Sequence, residues 1–220
     1  MNAMTLAKCV VFDLDGTLTD SVPDIAAAMN RLMRARNLPE FREDEVALMV
    51  GDGARVLVER AFAARGVAMD AAALESFLAD YTENSSVLTR PYPGVLDTLA
   101  ALRAEGWTLA VCTNKPEHPA RVMLDALGLS RFFVVICGGD SFAVRKPDPG
   151  HLLGTLKAAG GDPQRSVMVG DHHNDLHTTD GTGVRSVWAR WGYGVDVRGA
   201  DAEASMFTEL PAIIDGFGIV

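Results

Sequence analysis

The chain has 220 residues and a formal net charge of -9 at pH 7, with 48% hydrophobic and 22% charged residues. This length permits one large domain, or one domain that carries a smaller insert. The apolar fraction is enough for a proper core and argues against disorder. The acidic balance disfavours nonspecific binding to nucleic acid or to an anionic membrane, so we expect neither as a partner.

The three cysteines, Cys9, Cys112 and Cys137, each lie inside an apolar run. Cysteine in such a run usually acts as a small core residue, and an odd count without regular spacing does not predict a disulfide framework. The opening residues MNAMTLAKC contain no long apolar segment, and no apolar stretch reaches the roughly 18 residues of a membrane span. We therefore expect a soluble, cytoplasmic protein without a signal peptide.

The first element in chain order is the apolar run CVVFDLD at 9–15, which is typical of a strand buried on both faces. The next segment, from about residue 21 to residue 90, shows helical patterns and no convincing strand. It is too long for an ordinary crossover, and we interpret it as a helical insert whose proline-containing borders can act as hinges. The predicted helices of this insert cover residues 23–37, 43–50, 54–65 and 70–81.

Strand and helix patterns alternate after the insert. Further strands are predicted at residues 107–114, 132–139, 166–171 and 185–190, and helices at 94–106, 117–128, 149–161 and 174–183. Such alternation predicts an α/β fold with a doubly wound parallel sheet. We therefore predict a Rossmann-like core formed by residues 1–20 and 91–220, with an inserted helical cap domain, called the cap below, formed by residues 21–90.

Polar residues follow the predicted strands at the edge where parallel sheets bind ligands. Asp13 and Asp15 end the first strand and should share a face, because alternate strand residues point the same way. Gly16 then lets the chain leave the strand without a side-chain clash. The later strand ends and their loops bring Thr113, Asn114, Lys115, Lys146, Asp171 and Asp175.

These residue types suit chemistry on a phosphoryl group. Three or four carboxylates at one place are unfavourable unless a cation neutralises them, and an oxygen-rich site suits Mg²⁺. Lys146 supplies positive charge, and Thr113 and Asn114 supply hydrogen-bond donors for a phosphoryl group. A carboxylate can itself attack phosphorus, and a second carboxylate can transfer protons. Asp13 and Asp15 are candidates for these two roles.

The motifs DLDGTLTDS, VCTNK, RKPDP and GDHHND occur in this order and resemble those of the haloacid dehalogenase-like superfamily, most closely its phosphoglycolate phosphatases. The resemblance covers almost the whole chain. It implies that Asp13 is the nucleophile and a Mg²⁺ ligand. Asp15 would be the general acid/base and would give its backbone carbonyl to the metal.

The same resemblance implies roles for the later motifs. Thr113 and the amide of Asn114 would hold the phosphoryl group, and Lys146 would neutralise it and orient the nucleophile. Asp171 would bind Mg²⁺, and Asp175 would support the metal through water or a second-shell bond. Within the superfamily, the presence of Asp15 favours phosphoryl transfer over C–halogen cleavage. The absence of lysine from residues 21–90 disfavours phosphonate cleavage.

The stretch VGDGARVLVERAF resembles the part of phosphoglycolate phosphatases where a glycine-bracketed turn precedes a helix facing the active site. Gly51, Asp52, Gly53 and Arg55 are therefore candidates for substrate contact. We expect Arg55 to meet a substrate carboxylate, because a guanidinium fits a carboxylate fork. By contrast, the histidines at 172, 173 and 177 indicate a solvated or rim-lining role, because a zinc site would need a further soft ligand within reach.

We therefore predict a Mg²⁺-dependent phosphomonoester hydrolase, monomeric or homodimeric, that acts through an aspartyl-phosphate on a small phosphorylated metabolite. The leading substrate is 2-phosphoglycolate. The alternatives are a sugar phosphate (including N-acetylmuramate 6-phosphate), a nucleotide, pyrophosphate, or a sugar phosphomutase activity. A receiver-like signalling module is a further alternative, but such modules are shorter and carry no large insert after the first strand.

Overall fold

The computed structural model describes residues 6–219. The strands, in chain order, are β1 (Ala7–Phe12), β2 (Thr19–Asp20), β3 (Arg90–Pro91), β4 (Thr108–Cys112), β5 (Val135–Cys137), β6 (Gly161–Gly170), β7 (Arg185–Ala189) and β8 (Ala202–Ala204). The α-helices are α1 (Val22–Ala35), α2 (Glu43–Ala47), α3 (Ala54–Ala64), α4 (Ala73–Asn84), α5 (Val95–Ala104), α6 (Glu117–Ala126), α7 (Pro149–Ala159), α8 (His173–His177) and α9 (Leu210–Gly216).

Six of the strands form one sheet in the order β5-β4-β1-β6-β7-β8, and every pair in it is parallel. The predicted α/β fold with a doubly wound, Rossmann-like sheet is therefore confirmed. From β1 the chain passes to β4 and β5 on one side, and then returns to β6 on the other side. This reversal leaves a crevice at the carboxyl end of β1, where such folds bind ligands.

The central strand β1 is buried on both of its faces. Val10 and Phe12 belong to one apolar cluster, whereas Cys9 and Val11 belong to a second cluster. This two-sided burial is why the sequence of β1 is continuously apolar rather than alternating. The short strand β8 has the sequence AEA and carries no comparable pattern, so the sequence analysis missed it.

Helices α1 to α4 lie between the short strands β2 and β3, which pair in an antiparallel ribbon. The ribbon brings the two borders of the cap side by side. Each of its strands has two residues, too few to produce a recognisable pattern in the sequence. We propose that the cap is a separate unit whose neck is this ribbon.

A buried carboxylate reinforces the neck of the cap. Asp24, in the first turn of α1, accepts hydrogen bonds from the amides of Leu88 (3.0 and 2.9 Å) and Thr89 (2.8 Å) and from the Thr89 hydroxyl (2.7 Å). Its charge is therefore compensated by donors on the segment that returns to the sheet. Asp24 thus joins the start of the cap to its end.

The helix after β6 is shorter than predicted. The sequence pattern placed a helix at residues 174–183, whereas α8 ends at His177. The Thr179 hydroxyl donates to the carbonyl of Leu176 (2.6 Å), and Gly181 has a positive φ of 70°, so this stretch forms turns instead. In residues 6–219, moreover, we find no helix of sufficient length and hydrophobicity for a membrane crossing.

Candidate active site

The carboxyl ends of three neighbouring strands place the predicted catalytic residues together. Asp13 directly follows β1, and its amide donates to the carbonyl of Val169 in β6 (2.9 Å). Thr113 follows β4, and Asp171 follows β6, so both lie beside Asp13 across the sheet. All three are buried. The parallel register therefore converts positions far apart in sequence into one site.

Three carboxylates converge at this site. Asp13, Asp171 and Asp175 each offer an oxygen, and these oxygens lie within 4.8 Å of one another. Burial and the nearby Asp175 raise the pKa of Asp13 to about 6, although Lys146 opposes this shift. Burial, with Asp175 and Asp13, also holds the pKa of Asp171 well above its usual range. This excess of buried negative charge fits the binding of a divalent cation.

Lys146 lies within the carboxylate cluster and is only 2% exposed. Its ammonium is 2.8 Å from Asp13 Oδ1 and 2.5 Å from Asp175 Oδ1. Burial opposes the charge, but the two carboxylates raise the pKa of Lys146 above its ordinary value, so it stays protonated. The backbone amide of Lys146 donates to Nδ1 of His151 (3.2 Å). His151 is a contributor to the site that was not recognised from the sequence.

Asp171 is held by donors from two loops. The Thr17 hydroxyl (2.9 Å) and the amides of Tyr193 (2.8 Å) and Gly194 (3.3 Å) donate to its carboxylate. Gly16 packs directly against this carboxylate with a φ of 83°, and a side chain at that position would collide with Asp171. The glycine of the first motif is therefore required both by backbone conformation and by space.

Asp15 points to a different set of partners. Its carboxylate accepts from the Lys115 ammonium (2.9 and 3.0 Å) and from the Ser21 hydroxyl (2.6 Å), and it does not belong to the group of Asp13, Asp171 and Asp175. Because β1 ends at Phe12, the alternation that we expected between positions 13 and 15 does not continue. A metal contact through the backbone carbonyl of Asp15 stays a prediction.

Thr113 and Asn114 lie where the sequence predicted a phosphoryl-binding segment. The Thr113 hydroxyl oxygen accepts from the amide of Lys115 (3.2 Å), which leaves its proton for another acceptor. The Asn114 side chain donates instead to the carbonyls of Gly51 (2.9 Å) and Lys146 (3.0 Å). Asn114 thus connects the core to the loop of the cap.

That loop, residues 50–53, rests on the core. The Asn174 side chain donates to Asp52 Oδ1 (2.7 Å), and Arg60 pairs with Asp52 Oδ2 (2.5 Å), so the Asp52 carboxylate is engaged by these two groups. Gly51 lies over the ring of His172, whose pKa burial and the neighbouring His173 lower to about 4. His172 therefore packs as a neutral side chain beneath the cap loop.

A cavity of about 40 Å³ lies between the core and the cap. Its core side includes Asp13, Asp15, Thr113, Asn114 and Lys115. The cap contributes mainly apolar groups, among them Ile25, Val50, Leu57, Phe77 and Leu78, together with Gly51, Gly53 and the ring of Tyr81. The predicted nucleophile therefore faces a small chamber with a polar floor and a largely apolar roof.

The structure does not bring Arg55 into this cavity. Its side chain is 60% exposed, lies 4.0 Å from Glu59, and lines an outer groove instead. Ala54 and Leu57 on the same helix face the cavity, and position 55 lies on another face because successive helical residues are separated by about 100°. Sequence reasoning found the correct helix but the wrong side of it.

Two further residues contribute to the site, although the sequence analysis assigned no catalytic or binding role to either. Lys115 stood in the same motif as Thr113 and received no role, although its position directly after a strand end was a usable signal. Tyr193 lies in a loop after β7 without a recognisable motif. Its hydroxyl accepts from the amides of Ser21 (2.7 Å) and Val22 (3.1 Å), so it joins the Asp171 loop to the start of the cap.

Comparisons with known proteins agree with this geometry. The phosphoglycolate phosphatase of Agrobacterium fabrum is 44% identical over 197 residues, which cover 88% of this chain and 84% of that protein. A predicted phosphoglycolate phosphatase from Haemophilus somnus 129pt has a crystal structure that matches with a TM-score of 0.87 and 32% identity, covering 96% of this chain and 99% of that one.

A second solved structure, CbbY from Rhodobacter sphaeroides in complex with phosphate, matches with a TM-score of 0.81 and 25% identity, covering 96% of this chain and all (100%) of that one. The model of the family described as haloacid dehalogenase-like hydrolase matches residues 10–189, a span that contains every carboxylate and lysine of the site. The chain therefore belongs to the haloacid dehalogenase-like hydrolase family.

Proposed function

We propose that this protein is a Mg²⁺-dependent phosphomonoester hydrolase that forms an aspartyl-phosphate on Asp13, with 2-phosphoglycolate as the leading substrate. The observation that carries the proposal is the buried cluster at the strand ends, where the Lys146 ammonium contacts Asp13 and Asp175 and where Asp171 lies within reach of both carboxylates. The relatives named phosphoglycolate phosphatase support the choice of substrate.

The residues around Asp13 match the needs of phosphoryl transfer. Lys146 places a permanent positive charge beside Asp13 Oδ1, where the transferred phosphoryl group would carry its negative charge. The Thr113 hydroxyl has a proton to donate, and within residues 6–219 we find no acceptor for the backbone amide of Asn114. We assign these two donors to the phosphoryl oxygens.

The proposed reaction has two steps, phosphoryl transfer to Asp13 and hydrolysis of the resulting aspartyl-phosphate. In the first step, an Asp13 carboxylate oxygen attacks phosphorus, the bond from phosphorus to the ester oxygen breaks, and Asp15, as the general acid, gives a proton to the leaving oxygen. In the second step, water attacks phosphorus while Asp15 takes a proton from it. The bond between Asp13 and phosphorus breaks, and inorganic phosphate leaves.

Asp13, Asp171 and Asp175 would hold the Mg²⁺ ion, and the backbone carbonyl of Asp15 is a further candidate ligand. When bound, the ion supplies positive charge that offsets the carboxylates and the phosphoryl oxygens. The chain's own contribution is to hold Asp171 in place through the Thr17 hydroxyl and the Tyr193 amide, and to exclude water beneath the cap.

A small substrate agrees with the dimensions of the site. The cavity of about 40 Å³ has room for only a few water molecules, so every candidate ester would displace the cap to some extent. A short ester such as 2-phosphoglycolate would require less displacement than a sugar phosphate or a nucleotide. This comparison favours 2-phosphoglycolate over the larger metabolites considered above.

The direct test is phosphate release from 2-phosphoglycolate with Mg²⁺, measured for the wild type and for Asp13→Asn. We expect turnover by the wild type and a loss of at least about 10⁴-fold in kcat for the variant, because a carboxamide is a poor nucleophile. Turnover by Asp13→Asn at a rate close to that of the wild type would disprove the assigned nucleophile.

A further inference from the structure

The cavity contains a cation that the proposed phosphoryl chemistry does not use. The side chain of Lys115 is 4% exposed and reaches the cavity from the loop after β4. It is the only lysine or arginine among the described residues that line this cavity. Lys146 lies deeper, against Asp13 and Asp175, where we have assigned it to the phosphoryl group.

The ammonium of Lys115 can bind a further anion by sharing its donors. Its three N–H groups face three acceptor atoms, the two oxygens of the Asp15 carboxylate (2.9 and 3.0 Å) and the Tyr81 hydroxyl oxygen (2.7 Å), and one N–H can serve both oxygens of Asp15. Tyr81 accepts this bond, and we find no acceptor for its own proton among residues 6–219. Burial keeps the pKa of Tyr81 well above its usual range, so that proton remains available.

Among the described residues that line the cavity, the cap residues around the Tyr81 hydroxyl offer no charged partner for an anion. The roof of the cavity around Tyr81 is formed by apolar side chains of the cap, including Ile25, Leu57 and Phe77. A second negative charge on the substrate would be costly to bury there unless it met a cation or a hydrogen-bond donor. Arg55 lies outside in the groove, so Lys115 and Tyr81 are the groups positioned to receive such a charge.

We propose that Lys115 and Tyr81 form a subsite for a carboxylate of the substrate, and that the preferred substrates are short phosphomonoesters carrying such a group. This inference rests on the proposed function and assigns the carboxylate to Lys115 in place of Arg55. One half of the subsite comes from the core and the other from α4 of the cap. The subsite is therefore complete only in the arrangement seen here, with the cap against the core.

The experiment compares two esters that differ in one group, 2-phosphoglycolate and ethyl phosphate, in which a methyl group replaces the carboxylate. The readout is the ratio of their kcat/KM values. Lys115→Met removes the ammonium, Tyr81→Phe removes only the hydroxyl, and Lys157→Met makes the same substitution at an exposed position of α7. Because Lys115 also contacts Asp15, Lys115→Met can slow the hydrolysis of both esters equally. Such an equal loss of kcat/KM leaves the ratio unchanged.

We expect the ratio to fall by about 100-fold in Lys115→Met and about 10-fold in Tyr81→Phe, and to stay unchanged in Lys157→Met. A subsite of this kind also requires the wild type to prefer 2-phosphoglycolate. An unchanged ratio in Lys115→Met, with both esters slowed equally, would overturn the proposal and leave Lys115 as a positioning residue for Asp15. A wild type that hydrolyses both esters equally well would also overturn it, while the proposed phosphatase function would stand.

If the wild type hydrolysed neither ester, the proposed function would fail, and binding would decide the subsite separately. Calorimetry with Mg²⁺ present should then show tighter binding of 2-phosphoglycolate than of ethyl phosphate, and Lys115→Met should remove the difference. Equal binding of the two esters to the wild type would overturn the subsite.

Discussion

At the scale of single residues, the site is a set of like charges held together against their mutual repulsion. Asp13 and Asp171 are buried beside Asp175, and the one buried lysine among them cannot neutralise three carboxylates. The fold positions these groups at the cost of some stability when no cation is bound. This balance between stability and function can be measured through pH.

Because burial and Asp175 raise the pKa of Asp13 to about 6, the folded state holds a proton that the unfolded chain releases near its ordinary value of 3.8. The wild type should therefore lose stability as the pH rises through this interval, and Asp13→Asn should lose less, since Asp171 is then the remaining carboxylate of the pair with a raised pKa. In a chelator at pH 7, we expect Asp13→Asn to melt about 5 °C higher than the wild type, with near-equal melting at pH 4.

The measurement is thermal melting between pH 4 and pH 7 with and without Mg²⁺. Asp125→Asn, at an exposed position of α6, is the matched control and should follow the melting temperature of the wild type at every pH. Mg²⁺ should reverse the order at pH 7 by stabilising only the wild type, since bound ligand raises stability by mass action. A variant less stable than the wild type at pH 7 in chelator would contradict this account of the cluster.

At the scale of elements, the short loop before α3 decides how the cap rests on the core. Its Gly51 has a φ of 121°, and its carbonyl accepts from Asn114. An added Cβ at this position would lie 2.8 Å from the ring of His172. Both the backbone conformation and the close contact therefore require glycine here.

We expect Gly51→Ala to lower kcat/KM for 2-phosphoglycolate by about 10- to 100-fold, because the loop would have to move off the core and open the cavity. Gly66→Ala is the matched control, since Gly66 is also in the cap with a positive φ of 71° but has open space where the Cβ would go. It should cost about 1 kcal/mol of stability and leave activity intact. Equal kinetic effects of the two variants would show that the contact with His172 is unimportant.

Element-level prediction succeeded where a pattern had a single physical cause. The apolar runs identified five of the six strands of the sheet, because strands buried on both faces leave a continuous signal. The ribbon of β2 and β3 left none because each strand has two residues. The direction of Arg55 was not foreseen because the helical face that meets the core depends on how the cap sits on the sheet.

At the scale of the whole molecule, contacts distant in sequence bring the cap and the core together. Tyr193 donates its amide to Asp171 while its hydroxyl receives the amides at the start of α1. Asn114 and Asn174 hold the loop of residues 50–53 from the other side. No local sequence rule predicts these pairs, which is why the sequence located the strand-end residues and not the closing contacts.

These contacts give a consistent picture of the proposed catalyst. In the proposed mechanism, the core supplies the nucleophile and the phosphoryl-binding groups, and the cap covers the small cavity beside them. The strand-end residues were predictable because a parallel sheet collects the ends of its strands at one edge, whatever their separation along the chain. The helices of the cap are inserted shortly after β1, the strand that precedes Asp13, and this position in the chain places the cap over the site.

The central claim, that Asp13 carries the phosphoryl group during turnover, is tested most directly by trapping it. Enzyme quenched in acid during turnover of 2-phosphoglycolate with Mg²⁺ would be digested and its peptides analysed by mass spectrometry. The account predicts one phosphoryl group, located on Asp13 and absent from Asp13→Asn. A phosphoryl group on another residue, or steady turnover by a wild type that never becomes phosphorylated, would contradict it.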